Sequence, residues 1–548
     1  MAEPVSQVEV QLGHLCNNRC VFCVSGQLSE QKRAPQLPAQ PIQDQIRDAR
    51  LAGATKITFL GGEPTIQGSF WGHLQFAVDL NFQEIVIFTN GTMTPRQSFR
   101  QRVFQVLEAL GPDVKKRVIW RFSLQGGAEK AHDATTLNAG SWQRIITSLN
   151  ELHGTGARLT GNMCVVTSNY ESIPDLAEVA ARYDFENLHL DMVRPRDSGD
   201  RTDLELRAMM APYTQMAPYF LALENAVDQQ LGSDFDLNFG NVPYCTMPEV
   251  AHRIHHDGQF TVTVAADGQG TTQSGFNKYQ DKRSDKHKPQ SCARCAFDTK
   301  CSGIFDKYRQ FYGDDEFQPV SSAQLWQTDV KGHHFAMLLK PWLDQQIAAG
   351  QVRLLRSDEK HNAFELMLPT EDGNWHFILQ RAGRAADARA WLTLSSGRFQ
   401  LQLLGVAPQS AGAAAQLQGW VDNLTAQVGG LALQIEQAHI VQSYQAYAQA
   451  LRQVSQIAQT LRSTTLAGMR AHAATKTPDQ QGIILTFAKD AGQLALTLRV
   501  EKNRAGQFKP KFEHEVRGLS ADVVAEFNRS LGVALRPSQT SRAQARQI

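Results

Sequence analysis

The sequence has no run of about 18 consecutive apolar residues, which is the length that a membrane-spanning helix requires. Near its start it also has no basic segment followed by an apolar one, so we expect no secretory signal. Its 55 Lys and Arg residues are nearly balanced in number by 54 Asp and Glu residues. The formal net charge of +1 argues against a broad nucleic-acid surface. These absences predict a cytoplasmic protein without a membrane or nucleic-acid partner.

Cysteine is scarce and unevenly placed. The 548 residues include eight cysteines, and none lies between residues 320 and 548. Disulfides are not expected in a reducing cytoplasm, where clustered cysteines usually bind metal. Six of the eight form two tight groups: Cys16, Cys20 and Cys23, then Cys292, Cys295 and Cys301. Both groups are therefore candidate metal sites.

Six apolar runs of strand length alternate with helical patterns between residues 7 and 195. The runs are QVEVQLG, KITFLGG, EIVIFTNG, VIWRFSLQGG, RLTGNMCVVTS and NLHLDMVRP. This alternation predicts an α/β fold with a parallel sheet and right-handed crossovers, in which chemistry gathers at the carboxyl ends of the strands. The first cysteine group directly follows the first predicted strand.

The rest of the chain divides by composition. Residues 1–200 hold the predicted parallel sheet, and residues 201–319 form a helical linker and a loop-rich extension with four cysteines. Residues 320–430 show alternating strand patterns and a helix, which predict an α+β module. Residues 431–548 begin with a long helical pattern and then repeat the strand and helix patterns. We expect two related α+β modules joined by the long helix.

The first cysteine group has the spacing C-x3-C-x2-C. Three thiolates can hold three irons of a cubane [4Fe–4S] cluster, and the fourth iron is then left without a protein ligand. A zinc site with a distant fourth ligand, such as His14, is the alternative.

The second predicted strand ends in Gly61, Gly62, Glu63 and Pro64. A C-x3-C-x2-C motif followed by GGEP resembles the radical S-adenosylmethionine (radical SAM) enzymes. The resemblance implies a partial (β/α)6 barrel and a [4Fe–4S] cluster whose open iron chelates S-adenosylmethionine. It further implies an oxidoreductase that takes one electron from a flavodoxin- or ferredoxin-like donor. Reductive cleavage of the cosubstrate would then give a 5′-deoxyadenosyl radical that abstracts hydrogen.

The resemblance also implies which residues bind the cosubstrate. The two glycines let backbone approach it closely, the Glu63 carboxylate can accept a hydrogen bond from its ammonium group, and Pro64 stiffens the turn. The candidate residues are Phe22, Gly61, Gly62, Glu63, Pro64, Asn90 and Ser123. Packing or capping is the alternative role for the single residues Phe22, Asn90 and Ser123.

The second cysteine group has the spacing C-x2-C-x5-C and resembles the SPASM and Twitch extensions of radical SAM enzymes. With Cys245 as the fourth ligand, it would hold an auxiliary [4Fe–4S] cluster, and Cys164 is the competing fourth ligand. The chain departs from the full SPASM pattern because Phe305 stands where the next cysteine would fall. Zinc bound by four thiolates is the alternative.

Several weaker patterns leave alternatives open. Cys164 lies within a predicted strand, where it is either a buried inert thiol or a hydrogen donor that faces the barrel. His132 and Asp133 either contact substrate or cosubstrate or have a packing or capping role. Arg194 and Arg196 either bind a substrate carboxylate or the cosubstrate ribose or belong to a charged loop at the barrel rim. For the segment HRIHHDG, which begins at His252, we expect a solvated helix or turn rather than a metal site.

The combined patterns predict a radical SAM enzyme that modifies a peptide or protein, because SPASM and Twitch extensions often accompany such enzymes. The recognition module that such maturases often carry at the N-terminus is not expected, since the first strand begins near residue 7. One alternative is a radical SAM enzyme of small-molecule or cofactor biosynthesis. Another is a non-catalytic scaffold that binds zinc.

Overall fold

The computed structural model describes the chain in two compact units, Met1–Leu325 and Trp326–Ile548. The described residues are those between 6 and 535 except 95, 110–115, 257–260, 265–275, 330, 359–361, 372, 388, 409, 430–432, 478–481, 490–491 and 503–506. Among them no helix combines the length and the apolar character needed to cross a bilayer.

A nine-stranded sheet forms the centre of the first unit, in the order β7-β6-β5-β4-β3-β2-β1-β8-β9. Neighbouring strands from β7 to β8 pair in parallel, and only β9 is antiparallel. The strands are β1 Gln7–Gln11, β2 Lys56–Leu60, β3 Glu84–Thr89, β4 Val118–Ser123, β5 Arg158–Val165, β6 Asn187–Met192, β7 Asp236–Gly240, β8 Thr261–Val264 and β9 Phe276–Asn277.

Helices follow the parallel strands and cover the sheet. In the helix Ser141–Leu152 the buried residues Ile145, Leu149 and Leu152 recur at helical spacing, which gives it one apolar face. The helices of this unit are α1 Val24–Glu30, α2 Ala39–Leu51, α3 Phe70–Asp79, α4 Gln97–Ala109, α5 Glu129–Thr136, α6 Ser141–Leu152, α7 Leu176–Arg182, α8 Asp203–Met209, α9 Tyr213–Gln230, α10 Lys278–Asp281 and α11 Asp306–Tyr312.

The six predicted strands are confirmed as β1 to β6 of a partial barrel. The expected helical linker also contains a strand that was not predicted, because Asp236–Gly240 extends the sheet as β7. The chain then returns to the opposite side, where β8 pairs with β1. The cysteine-rich segment folds around a short antiparallel pair, β10 Lys286–His287 and β11 Ile304–Phe305.

The second unit contains two antiparallel sheets, each preceded and followed by a helix. Helix α12 (Ser322–Thr328) leads into it. The five-stranded sheet has the order β12-β13-β14-β16-β15, and the four-stranded sheet has the order β17-β18-β19-β20. The first group of elements is α13 Phe335–Ala348, β12 Arg353–Asp358, β13 Ala363–Thr370, β14 Gly373–Arg381, β15 Leu392–Ser395, β16 Phe399–Leu404 and α14 Ala411–Val428. The second group is α15 Gln437–Ser463, β17 Ala471–Lys476, β18 Gly482–Lys489, β19 Gly492–Lys502, β20 Phe508–Arg517 and α16 Ala521–Ala534.

The long helix α15 packs on both sheets of the second unit. Its Tyr444 ring lies 5.4 Å from the ring of Trp391 beside β15, and its Tyr447 ring lies 5.5 Å from Phe508 of β20. One hydrophobic cluster therefore runs through both groups of elements. The predicted strand and helix patterns of this region are confirmed, whereas α13, β12 and β17 were not predicted. The relatedness of the two groups and the finer domain boundaries remain predictions.

Candidate active site

The loop that carries the first cysteine group joins β1 to α1 at the carboxyl edge of the sheet. Cys23 is the N-cap residue of α1. Across the loop, the backbone N–H groups of Arg19 and Val21 donate to the carbonyl oxygens of Thr136 and Thr135, at 3.0 and 2.9 Å. The end of α5 therefore fixes the middle of the loop, between Cys16 and Cys23.

Asparagine side chains hold the first half of this loop. Asn138 Nδ2 donates to Asn18 Oδ1 at 2.6 Å and to the Asn17 carbonyl oxygen at 3.2 Å. Asn90 Nδ2 donates to Asn17 Oδ1 at 2.7 Å and lies 4.0 Å from Cys16 Sγ. The predicted site residue Asn90 is thus brought to the cysteine loop. Asn138 was missed as a site residue because it lies far from the loop in the sequence.

The three thiols lie close enough to influence one another. Burial raises the pKa of Cys16 to about 12, and the charges of Glu63 and Cys23 add to this effect. Burial also raises the pKa of Cys20, with further contributions from Cys23, Cys16 and Cys164. Buried thiols of this kind are deprotonated when they coordinate a metal. A set of three soft sulfur donors suits an iron–sulfur cluster or zinc.

The GGEP turn packs directly against the cysteine loop. Gly61 and Gly62 have positive φ angles of 91° and 51°. A Cβ atom on Gly62 would overlap the carbonyl oxygen of Leu15, and the Glu63 N–H donates to that same oxygen at 2.9 Å. The side chain of Gln67 donates to it as well, at 2.8 Å. The glycines therefore allow the turn to meet the loop with no side chain between them.

The Glu63 carboxylate is buried, with 1% of the residue exposed. Oε1 accepts from the Thr65 N–H at 3.1 Å, the Thr65 hydroxyl at 2.5 Å and the Thr89 hydroxyl at 2.8 Å. Oε2 accepts from the Asn90 N–H at 2.6 Å. Burial raises the pKa of Glu63, and these hydrogen bonds oppose that shift. In this structure the carboxylate organises the turn, whose short 3₁₀ segment begins at Pro64.

The remaining candidate cosubstrate residues border the same edge of the sheet. Ser123 is the last residue of β4, and its hydroxyl accepts from Gln125 Nε2 at 3.3 Å. The Gln125 side chain also accepts from the Cys164 N–H at 3.0 Å, which ties β4 to β5. Phe22 is half-buried within the cysteine loop.

His132 and Asp133 both have structural partners. His132 Nδ1 accepts from the Gln125 N–H at 3.1 Å, and burial lowers the pKa of His132 to about 4. Asp133 accepts from the backbone N–H groups of Gly140 and Trp142, at 2.5 and 2.8 Å. Asp133 therefore caps the start of α6.

The second cysteine group includes Cys245. Its pKa is raised to about 12 by burial and then by the charges of Cys301, Cys295 and Cys292, so the four thiols lie near one another. The Tyr244 ring stacks on Phe297 at 4.7 Å, which holds the two segments together. Cys164 lies elsewhere, near Cys20, Cys23 and Asp191, where burial raises its pKa. This geometry favours Cys245 over Cys164 as the fourth member.

Within the described part of the chain, no three His, Cys, Asp or Glu side chains converge closely enough to hold one metal ion. A cubane cluster does not require such convergence, because each thiolate binds a different iron.

Arg194 and Arg196 connect the barrel to the extension. Arg194 Nε lies 2.9 Å from Asp285 Oδ2, and its Nη1 lies 2.7 Å from Asp281 Oδ2. Arg196 lies 3.4 Å from Asp281. Burial would lower the pKa of Arg194, but the bonds to Asp285 and Asp281 outweigh it and raise the pKa. These two arginines belong to an internal ion-pair network.

The segment that begins at His252 starts at the end of a 3₁₀ helix, but it is not solvated as the sequence suggested. His252 and Arg253 both bond to the buried carboxylate of Glu224, at 2.9 and 2.8 Å. The pKa of Glu224 is lowered to about 2, because these bonds outweigh the effect of burial. His256 is buried and bonds to the Val242 carbonyl oxygen at 2.6 Å and to the Ser302 N–H at 2.7 Å. The segment forms packing contacts.

Residues 10–180 match the family model described as the Radical SAM superfamily, and they form a radical SAM domain. The mycofactocin maturase MftC of Mycolicibacterium smegmatis is 27% identical over 192 residues, which cover 34% of this chain and 45% of that protein. MftC of Mycobacterium ulcerans is 26% identical over 215 residues, which cover 39% of this chain and 54% of that protein. The chain thus spans about half the length of the curated relatives it matches.

Solved structures give weaker likenesses. Streptococcus suis SuiB bound to S-adenosylmethionine has a TM-score of 0.40 and 15% identity, covering 58% of this chain and 77% of that one. Native anSMEcpe with bound AdoMet has a TM-score of 0.40 and 13% identity, and the match covers 63% of this chain and 98% of that one.

Proposed function

We propose that this protein is a radical SAM enzyme that modifies a peptide or protein. Cys16, Cys20 and Cys23 would hold a [4Fe–4S] cluster, which with S-adenosylmethionine would supply a 5′-deoxyadenosyl radical for hydrogen abstraction after one-electron reduction. The observation that carries the proposal is the contact between the cysteine loop and the GGEP turn, within a domain that matches the radical SAM family model.

The residues of this chain position the reactants. Asn90 and Asn138 fix the cysteine loop, and Glu63 fixes the turn that meets it. We propose that Gly61, Gly62, Pro64, Ser123 and Phe22 border the cosubstrate. The amide of Asn90 lies beside Cys16, where it can also contact the bound nucleotide.

We further propose that Cys245, Cys292, Cys295 and Cys301 hold an auxiliary [4Fe–4S] cluster in a SPASM- or Twitch-like extension. Two clusters predict about eight irons per chain. The Cys245→Ala variant should retain about half of that iron, whereas Cys164→Ala, at a cysteine outside both groups, should retain all of it. Stoichiometric zinc, or equal iron in the wild type and Cys245→Ala, would contradict the auxiliary cluster.

A peptide substrate is supported by the curated relatives, which are named as maturases. We propose that the protein works in the cytoplasm and that a flavodoxin- or ferredoxin-like protein supplies the electron. The test is anaerobic incubation of the reconstituted protein with dithionite and S-adenosylmethionine. Wild type and Cys164→Ala should form 5′-deoxyadenosine and Cys20→Ala should not. Absence of the product from the wild type would contradict the proposal.

A further inference from the structure

The interior of the partial barrel contains a cavity of about 650 Å³. This volume lies in the range of about 300–1,000 Å³ that is typical of small-molecule and cofactor sites. Its lining combines inward-facing strand residues with residues of the cysteine-rich extension. Arg121, Thr160 and Asp191 come from the strands, and His255 and Lys282 come from later in the chain.

Three buried polar atoms on this lining have no hydrogen-bond partner within the described residues. They are Arg121 Nε, Thr160 Oγ1 and His255 Nδ1. Thr160 is only 4% exposed, and it pairs with Arg121 in the register of β4 and β5, so the two side chains are neighbours. Buried polar groups are nearly always satisfied by protein, water or ligand. Three such atoms in one cavity indicate a site for a polar ligand.

The acids nearest Arg121 are engaged with other groups. Burial lowers the pKa of Arg121, and the charges of four carboxylates oppose this shift: Glu9, Asp191, Glu84 and Asp236. Glu84 pairs with Lys56 and Arg158, at 3.2 and 3.1 Å. Asp191 bonds to His189 and Asn241, at 2.9 and 3.1 Å. Asp236 Oδ1 accepts from Asn238 Nδ2 at 2.8 Å, and Glu9 also has an interaction of its own.

The guanidinium of Arg121 therefore has no ion pair in the part of the chain that the structure describes, although it lies over the Phe88 ring at 6.0 Å. A guanidinium presents several donors in a planar fork that matches the two oxygens of a carboxylate. The Thr160 hydroxyl adds a donor beside it. The donors of Arg121 and Thr160 therefore suit a carboxylate better than a neutral amide.

Arg121 lies on β4 close to Ser123, one of the proposed cosubstrate residues. It precedes Ser123 by two residues, so both side chains face the same side of the sheet, about 7 Å apart along the strand. We propose that Arg121 and Thr160 bind a carboxylate of the peptide substrate inside the barrel. Arg121 lies two residues before Ser123, which borders the proposed cosubstrate site. This inference rests on the proposed function for its peptide substrate. Arg121 is a binding residue that anchors the substrate, away from the reacting bond.

The test compares two probes that differ only in charge, N-acetylglycylglycine and N-acetylglycylglycinamide. The melting temperature of the reconstituted full-length protein is measured with each probe, without reductant. We expect the acid to raise it by about 2–3 °C once the probe is in roughly tenfold excess over its dissociation constant, and the amide to have no effect. Arg121→Gln should abolish the shift, Thr160→Val should reduce it, and the exposed-site control Arg33→Gln should retain it.

Equal responses to acid and amide, including no response to either, would overturn the inference, as would an undiminished shift in Arg121→Gln. S-adenosylmethionine should leave the acid-dependent shift in place, because the two ligands occupy different levels of the barrel. Displacement by S-adenosylmethionine would assign Arg121 to the cosubstrate and would also overturn the inference. Because this readout does not use 5′-deoxyadenosine formation, its failure is distinguishable from failure of the proposed function.

Discussion

The Glu63 carboxylate accepts a hydrogen bond from the backbone N–H of Asn90 at 2.6 Å and thereby joins the ends of β2 and β3. The same two residues contact the cysteine loop, Glu63 through its own N–H and Asn90 through its side-chain amide. This pair explains how two motifs about 25 residues apart in the sequence act as one support for the loop. Disturbing either residue should disturb whatever the three cysteines bind.

The variant Glu63→Gln should weaken this support. One oxygen that accepts hydrogen bonds would become an NH2 group facing buried donors, which costs about 1–3 kcal/mol of unfolding free energy. Iron retained after reconstitution should fall as well. Thermal unfolding and iron analysis measure both effects. The control Glu178→Gln lies on an exposed helix position and should behave as the wild type. Wild-type stability in Glu63→Gln would contradict this account.

Gly62→Ala should displace the cysteine loop. At the φ of Gly62 an alanine carries a strain of about 1–2 kcal/mol, and its Cβ would also overlap the Leu15 carbonyl oxygen. Gly154 is a matched control, since its φ is +78° but a Cβ there would meet nothing within 4 Å. We expect Gly62→Ala to lose most of its cluster and Gly154→Ala to keep it, as measured by visible absorption after reconstitution. Equal retention would show that close packing at Gly62 is unimportant.

Replacement of the two arginines after β6 should change the free energy of unfolding by very different amounts. Arg194 has a side chain that is 6% exposed and pairs with three carboxylates, whereas the Arg196 side chain is 59% exposed. Removing one partner from a buried ion pair typically costs about 3–5 kcal/mol, and an exposed pair is worth about 0–1 kcal/mol. Denaturant unfolding should therefore show a large loss for Arg194→Ala and little change for Arg196→Ala. Similar losses would contradict the network described here.

The first unit should lose stability in acid partly through His73. This residue is fully buried, neither ring nitrogen has a hydrogen-bond partner among the described residues, and burial lowers its pKa from 6.5 to about 4. Because the unfolded chain binds the proton more tightly, unfolding free energy should fall as pH drops from 6.5 to 4, by up to about 3 kcal/mol. His73→Leu should show a shallower pH dependence. An unchanged slope would contradict this assignment.

The sequence predicted the parts of the site that are local in the chain. The cysteine triplet and the GGEP turn each lie within a few residues, directly after a strand with a clear apolar pattern. The supports from Thr135 and Asn138 were not predicted, because they reach the loop from more than 100 residues away. Strand β7 was missed as well, since DLNFG is short and polar at alternate positions. Arg194 could not be assigned because its partner aspartates lie about 90 residues further on.

The most direct test of the central claim is electron paramagnetic resonance of the reduced, reconstituted protein with and without S-adenosylmethionine. The account predicts a [4Fe–4S] signal whose g-values shift when the nucleotide is added and which is altered or lost in Cys20→Ala. A wild-type signal that does not respond to S-adenosylmethionine, or no iron–sulfur signal at all, would contradict an iron with an open coordination position at the first cysteine group.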